Sequence, residues 1–133
     1  MKLYISARYG RRPEAEGVAR MLQDAGHEIT SRWVWRDQPQ DYETATHEEV
    51  GEFAMEDLED ICLAQGLVAL SEPSDNPWGR GGRHVEFGYS LGLRKEVFVV
   101  GPLENIFHYL LDVVVTDTVP ELIEYLRETE NGS

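Results

Sequence analysis

The sequence has 133 residues, 41% of them hydrophobic and 28% charged, with a formal net charge of −13. This length predicts a single domain over residues 1–133, and the charge argues against a nucleic acid polymer as partner. We find no apolar run near the ~20 residues that would cross a membrane, no signal peptide and only one cysteine, Cys62, so we expect a cytoplasmic protein without metal or cofactor.

Strand-like and helix-like segments alternate along the chain, with period-2 or continuous apolar runs for strands and 3.6-residue spacing for helices. The predicted strands are Lys2–Ser6, His27–Trp35, Gly66–Leu70, Glu96–Val100 and Asp112–Val115. The predicted helices are Pro13–Asp24, a helix from the capping box of Thr46 and Glu49 to about Ala64, Arg83–Leu93 and Pro120–Arg127, with a helical turn near Asn105–Leu110. We expect the tail, Glu128–Ser133, to fray.

This order predicts an α/β fold of the flavodoxin-like type, an open parallel five-stranded sheet with helices on both faces. Such sheets bind ligands at the carboxyl ends of their strands. The loops expected to carry function are therefore Ala7–Arg12, Ser71–Gly82 and Gly101–Asn105. The loop 36–46 is polar and contains Pro39, which makes it the segment expected to be mobile.

The segment Gly79–Tyr89 (GRGGRHVEFGY) carries the densest functional signal. Glycines before a helix allow close approach of a ligand, and the helix start attracts negative charge. Glu86 lies about one turn into this helix, a placement that favours its ionised form. The ordinary alternative is that Glu86 is a solvated helix residue.

Two more carboxylates, Asp57 and Asp60, are three residues apart and share one face of the second helix. Their place near the negative helix end would raise a carboxyl pKa, so that one of them could protonate a leaving group. The alternative is a solvated acidic face. Arginines cluster in two loops, at 8–12 and 80–83, which suits a small anionic ligand unless these side chains are only surface residues.

Other motifs are absent or weak. The glycine-rich segment lacks the phosphate-loop and dinucleotide-binding patterns, and no histidine or cysteine spacing suggests zinc. Cys62, His84 and His108 are each better explained by packing or structure than by chemistry.

Three segments, KLYISARYGRRPE, DLEDICLAQGLVAL and GGRHVEFGYSLGLRKEVFVVGP, together resemble the nucleoside 2-deoxyribosyltransferase family, including its relatives that hydrolyse 2′-deoxynucleoside 5′-monophosphates. The resemblance implies Glu86 as nucleophile and Tyr4 as the residue that helps to hold it. It implies Asp57, with Asp60 as second choice, as the aspartate that handles the base or transfers a proton. It also implies that Asn105 is lent to the neighbouring subunit, and thus a homo-oligomer. The residues it implies for substrate or phosphate binding are Ser6, Ala7, Arg8, Tyr9, Gly10, Arg11, Arg80, Gly81 and Gly82.

Arg80 stands where the transferases usually carry an aspartate and the monophosphate hydrolases a phosphate-binding serine, and Gln65 replaces a common aspartate. The resemblance predicts cleavage or exchange of the N-glycosidic bond of a 2′-deoxynucleoside or its 5′-monophosphate, with the nucleoside or nucleotide and a free base as partners. The alternatives are a 5′-monophosphate N-glycosidase, a non-catalytic nucleotide-binding module, and a protein–protein adaptor with Trp33, Trp35 and Trp78 at its surface.

Overall fold

Five parallel strands form one open sheet in the order β2-β1-β3-β4-β5. The computed structural model describes residues 1–36, 44–73 and 79–131. The strands are β1 (Lys2–Ser6), β2 (Glu28–Ile29), β3 (Gly66–Leu70), β4 (Glu96–Val100) and β5 (Val113–Thr116). The predicted fold is therefore confirmed.

In the described part of the chain the α-helices are α1 (Arg12–Asp24), α2 (His47–Leu63), α3 (Gly82–Gly92) and α4 (Val119–Asn131). The first three connect strands, and α4 follows β5. Short 3₁₀ helices form at Tyr9–Arg11, Arg32–Trp35 and Ile106–Tyr109. Pro13 lies in the first turn of α1, and both halves of the predicted capping box, Thr46 and Glu49, are present at the start of α2. No helix within the described ranges is both long and apolar enough to span a membrane.

The inner strands β3 and β4 are almost entirely apolar, and most of their side chains are buried on both sides of the sheet. Leu67, Val68, Phe98 and Val99 are at most 2% exposed. Burial of each such side chain contributes ~1.5–3 kcal/mol. This rigid centre fixes the carboxyl ends of β1 and β3, where polar side chains begin.

The prediction of a long second strand, His27–Trp35, was wrong. Only Glu28–Ile29 pairs with β1, and the chain then turns into a 3₁₀ helix. Side chains replace the missing strand: Ser31 Oγ accepts a hydrogen bond from Ile5 N, and Trp33 Nε1 donates to Ile5 O at 2.8 Å. Because the backbone groups of Ile5 are satisfied in this way, a longer β2 is not needed.

The end of the chain also differs from the prediction. Helix α4 continues to Asn131, past the expected start of fraying at Glu128, and Thr129 Oγ1 donates to the carbonyls of Tyr125 and Leu126. Residues 132–133 of that tail lie outside the described residues. So do 37–43 of the loop expected to be mobile, and 74–78 of the glycine-rich loop, which include Trp78.

Candidate active site

Glu86 lies on α3 beside the carboxyl end of β1. Tyr4 Oη donates to its Oε2 at 2.5 Å, and Ser6 Oγ donates to its Oε1 at 2.8 Å. Tyr4 and Ser6 are two apart on one strand and therefore point to the same face of the sheet. The carboxyl group is thus held at both oxygens, while its side chain remains partly exposed.

Tyr4 is fully buried, and its pKa is strongly raised, first by burial and then by the negative charge of Glu86. Its phenol therefore stays protonated and acts as a permanent hydrogen-bond donor. Burial is also the largest influence on Glu86 and raises its pKa, whereas the hydrogen bonds from Tyr4 and Ser6 lower it. Burial therefore outweighs the helix start, which was expected to favour the ionised form of Glu86.

Asp57, on α2, is the second carboxyl group of the site. Burial, and next the charge of Glu86, raise its pKa to about 7, against a partial opposing effect of Arg36. Its Oδ1 is buried, and no described residue donates a hydrogen bond to it. The predicted direction of the shift is correct, but its causes are burial and Glu86 rather than the helix end. Asp57 therefore holds a proton part of the time at neutral pH.

Asp60 is in a different environment, although it is only three residues away. It is 1% exposed and accepts hydrogen bonds from Arg32, at 3.0 Å from the backbone N to Oδ2 and at 3.0 Å from Nε to Oδ1. A carboxylate paired in this way anchors the 3₁₀ helix Arg32–Trp35 to α2. The arrangement supports Asp57, rather than Asp60, as the acid.

The loop after β1 holds the arginines that were predicted to bind phosphate. Arg8 Nε donates to Glu72 at 2.9 Å. Arg11 donates to the carbonyls of Leu70 and Ser71 at 3.1 and 3.0 Å and pairs with Glu14. Arg11 therefore joins this loop to the end of β3.

The other predicted residues of this loop have packing roles as well. Ala7 is buried, and the ring of Tyr9 lies 6.0 Å from that of Trp33. A Cβ at Gly10 would lie 2.4 Å from Arg8 Nη1, so the small residue allows the arginine to pass over it.

Glycines form the start of α3, which begins one residue before the predicted Arg83. Gly81 has a φ of +89°, in the left-handed region that favours glycine, and Gly82 is the first helical residue. Arg80 is exposed just before them. This turn brings the predicted residues 80–82 close to the loop after β1, since the aliphatic chain of Arg8 would meet a Cβ placed on Gly79.

Asn105 is not brought to Glu86 within one chain. Its side chain caps the 3₁₀ helix Ile106–Tyr109 and lies 3.5 Å from His84 Nδ1. With His84 it borders a pocket of about 420 Å³ on another face of α3, whose remaining lining residues are Phe87, Gly88, Leu91 and Phe107.

Sequence reasoning missed Glu72. It is only 3% exposed, and besides Arg8 it has Arg83 at 3.6 Å and Arg11 at 3.9 Å. Its position could have indicated it, because Glu72 is a carboxylate directly after the buried strand β3, at the edge of the sheet where ligands bind.

Neither a protein-family model nor a curated protein matches this chain. Among solved structures it is similar to the 2-deoxyribosyltransferase of the psychrotolerant bacterium Bacillus psychrosaccharolyticus, with a TM-score of 0.69 and 23% identity over 94% of this chain and 92% of that one. This chain has the fold of that enzyme. It is also similar to the Clostridium botulinum CMP N-glycosidase BcmB, with a TM-score of 0.58 and 13% identity over 96% and 98% of the two chains. The resemblance predicted from the sequence is confirmed at the level of the fold.

Proposed function

We propose that this protein cleaves or exchanges the N-glycosidic bond of 2′-deoxynucleosides or their 5′-monophosphates through a covalent deoxyribosyl–Glu86 intermediate. The observation that carries the proposal is a carboxylate held at both oxygens by Tyr4 and Ser6, with a second carboxyl group, Asp57, whose pKa is about 7. Two carboxyl groups with different roles are what displacement at an anomeric carbon requires.

In the first step, a carboxylate oxygen of Glu86 forms a bond to C1′ as the bond from C1′ to the base nitrogen breaks. The departing base takes the proton of Asp57, and Asp57 remains in the site as a carboxylate. A 2′-deoxy sugar lacks the electron-withdrawing 2′-hydroxyl, so positive charge develops on the ring more readily. Tyr4 and Ser6 keep the Glu86 oxygens in position for attack.

In the second step, an acceptor attacks C1′ and releases Glu86 as a carboxylate. A nitrogen of a second base gives exchange, whereas water gives hydrolysis. In both cases the acceptor loses a proton, which the Asp57 carboxylate can take, and this restores the starting state. Hydrolysis is the second candidate function because the fold is shared with an N-glycosidase as well as with a transferase.

The first test incubates the protein with mixed deoxynucleosides, their 5′-monophosphates and free bases, and follows base release and exchange by chromatography. We expect the activity of Glu86→Gln to be lower than that of the wild type by about a thousandfold or more, as is usual for loss of a nucleophile. Intact-protein mass spectrometry of the quenched wild type should show the mass of one deoxyribosyl group.

The matched control is Glu52→Gln, an exposed carboxylate on α2, which should keep wild-type activity. Base release by Glu86→Gln at the wild-type rate would reject the proposed nucleophile. Ligand binding without base release from any of these substrates would instead favour a nucleotide-binding module.

We also propose that the protein works as a homo-oligomer in which Asn105 reaches a neighbouring copy. In support, large apolar side chains next to Asn105 are exposed, among them Ile106 (77%), Tyr109 (69%) and Leu111 (101%). Exposed apolar residues in such a cluster are typical of interfaces. Analytical ultracentrifugation of the wild type and of Leu111→Glu tests this, because a monomeric wild type would contradict it.

A further inference from the structure

The region around Glu72 contains more negative charge than a phosphate site needs. Each of the three guanidinium groups nearest to it has a carboxylate partner: Arg8 pairs with Glu72, Arg11 with Glu14, and Arg83 with Glu104 in a bidentate contact. Arg11 is further occupied by two backbone carbonyls. These charges cancel, so the cluster offers little net attraction to a dianion.

One oxygen of Glu72 lacks a hydrogen-bond donor among the described residues, and this indicates the kind of ligand that it could bind. Oε1 accepts the hydrogen bond from Arg8, but Oε2 is buried and no described residue donates a hydrogen bond to it. The nearest cation, Arg83 Nη2, is 3.6 Å away, beyond hydrogen-bond distance. Burial of a carboxylate oxygen without a hydrogen-bond donor is destabilising, and a hydroxyl group of a ligand can donate the missing hydrogen bond.

Glu72 is close to the proposed site of chemistry. Ser6 Oγ, which donates to Glu86, is also 3.5 Å from the backbone carbonyl of Arg83, whose guanidinium group lies against Glu72. Arg8, which covers Glu72 from the other side, has 28% of its side chain exposed and is two residues beyond Ser6. Glu86 and Glu72 are therefore connected through Ser6 and Arg83 at the same end of the sheet.

We propose that Glu72 determines the substrate class, a 2′-deoxynucleoside with a free 5′-hydroxyl, by accepting a hydrogen bond from that hydroxyl and opposing a 5′-phosphate. This inference rests on the proposed function. A 5′-phosphate is mostly dianionic at neutral pH, so it brings no proton for the carboxylate and meets its negative charge. Arg8 and Arg83 then serve to orient Glu72 rather than to bind phosphate.

The experiment compares kcat/KM for three substrates with the same base: the 2′-deoxynucleoside, its 5′-monophosphate and the 2′,5′-dideoxynucleoside. For the wild type we expect the deoxynucleoside to exceed each of the others by about tenfold or more, the range of a hydrogen bond to a charged group. In Glu72→Gln the preference should shift toward the monophosphate by about tenfold, because the charge is lost while an acceptor for Arg8 remains.

The control is Glu14→Gln, which removes the same charge beside the same arginine cluster but at an exposed residue. It should leave the preference for the deoxynucleoside over the monophosphate within about twofold of the wild type, because an exposed pair contributes little. If Glu72→Gln does not fold, as judged by circular dichroism, the wild-type comparison with the 2′,5′-dideoxynucleoside still decides the role of the hydroxyl.

Three results would overturn the inference: a wild type that prefers the monophosphate, an unchanged preference in Glu72→Gln, or equal use of the dideoxynucleoside. Cleavage that depends on Glu86 together with any of these would leave the proposed function intact. If no substrate is cleaved, the proposed function fails, and calorimetric affinities of the same three compounds for the wild type and Glu72→Gln then test Glu72 alone.

Discussion

The molecule holds buried and partly buried carboxyl groups in two contrasting environments. At Glu86 the donors are the hydroxyls of Tyr4 and Ser6, and Glu86 and Asp57 both have raised pKa values. At Glu72 and Asp60 the donors are guanidinium groups. A guanidinium partner engages a carboxylate in an ion pair, whereas the donors to Glu86 are neutral and burial remains the largest influence on its pKa. Nucleophilic attack and proton transfer are therefore expected at Glu86 and Asp57, whose pKa values are raised by burial.

The largest effect that this contrast predicts is on catalysis by Asp57. Asp57→Asn should lower the rate of base release by about 10²–10⁴-fold, because the leaving base loses its proton donor. With an acid of pKa about 7, wild-type activity should fall as the pH rises through about 7. The pH–rate profile of Asp57→Asn should lack this decrease, which forms the alkaline limb of the wild-type profile. A wild-type rate that stays level up to pH 9 would remove Asp57 from the acid's role.

The same group should make the protein less stable as the pH rises. The usual pKa of an aspartate is 3.8, and in the folded state that of Asp57 is about 7, so the folded state binds the proton more tightly. The free energy of unfolding should therefore decrease between about pH 4 and pH 7, by at most ~4 kcal/mol. Urea unfolding of the wild type and Asp57→Asn checks this. The free energy of unfolding of Asp57→Asn should increase relative to that of the wild type as the pH rises across that window. A difference that stays constant with pH would contradict the assignment.

Asp60 should behave in the opposite way, as a structural residue. Asp60→Ala removes the buried partner of Arg32 and should reduce the free energy of unfolding by ~2–3 kcal/mol, somewhat less than a fully buried pair because Arg32 is half-exposed. Denaturant unfolding measures this loss. The folded fraction should keep its pH–rate profile, and a change in the position of the alkaline limb would mean that Asp60 takes part in proton transfer.

The smallest effect is expected at Tyr4. Tyr4→Phe keeps the buried ring but removes the donor to Glu86, so the Glu86 carboxyl should lose orientation and its pKa should rise further. We expect kcat to fall about tenfold, the value of one hydrogen bond to a charged group, with little change in KM. The acidic limb of the pH–rate profile should move to higher pH. An unchanged acidic limb would show that the phenol only packs.

The sequence alone was enough to predict features that depend on local chemistry. Short-range patterns predict the start of α3 to within one residue, the capping box at Thr46, and the apolar strands β3 and β4. Alternation of strand and helix then leads to the parallel sheet. Placing Tyr4 beside Glu86 required the family resemblance, because these residues are 82 positions apart.

The features that the sequence did not reveal depend on contacts between distant residues. Arg8 and Glu72 are 64 positions apart, and their pairing depends on β1 and β3 being neighbours in the sheet. The apolar segment His27–Trp35 has strand-like residues, yet Ser31 and Trp33 use their side chains to bond β1 instead. Burial, which dominates the pKa of Asp57, likewise exists only once α2 packs against α3 and β1.

The short strand β2 has a consequence for self-association. It lies at one margin of the sheet, pairs over only two residue positions, and leaves the remaining polar groups of Ile5 to the side chains of Ser31 and Trp33. A long bare margin would be a template on which other chains could add strands and form fibrils. Here an indole and a hydroxyl satisfy the backbone groups of Ile5 at that margin, which protects β1 from strand addition without a full-length neighbour.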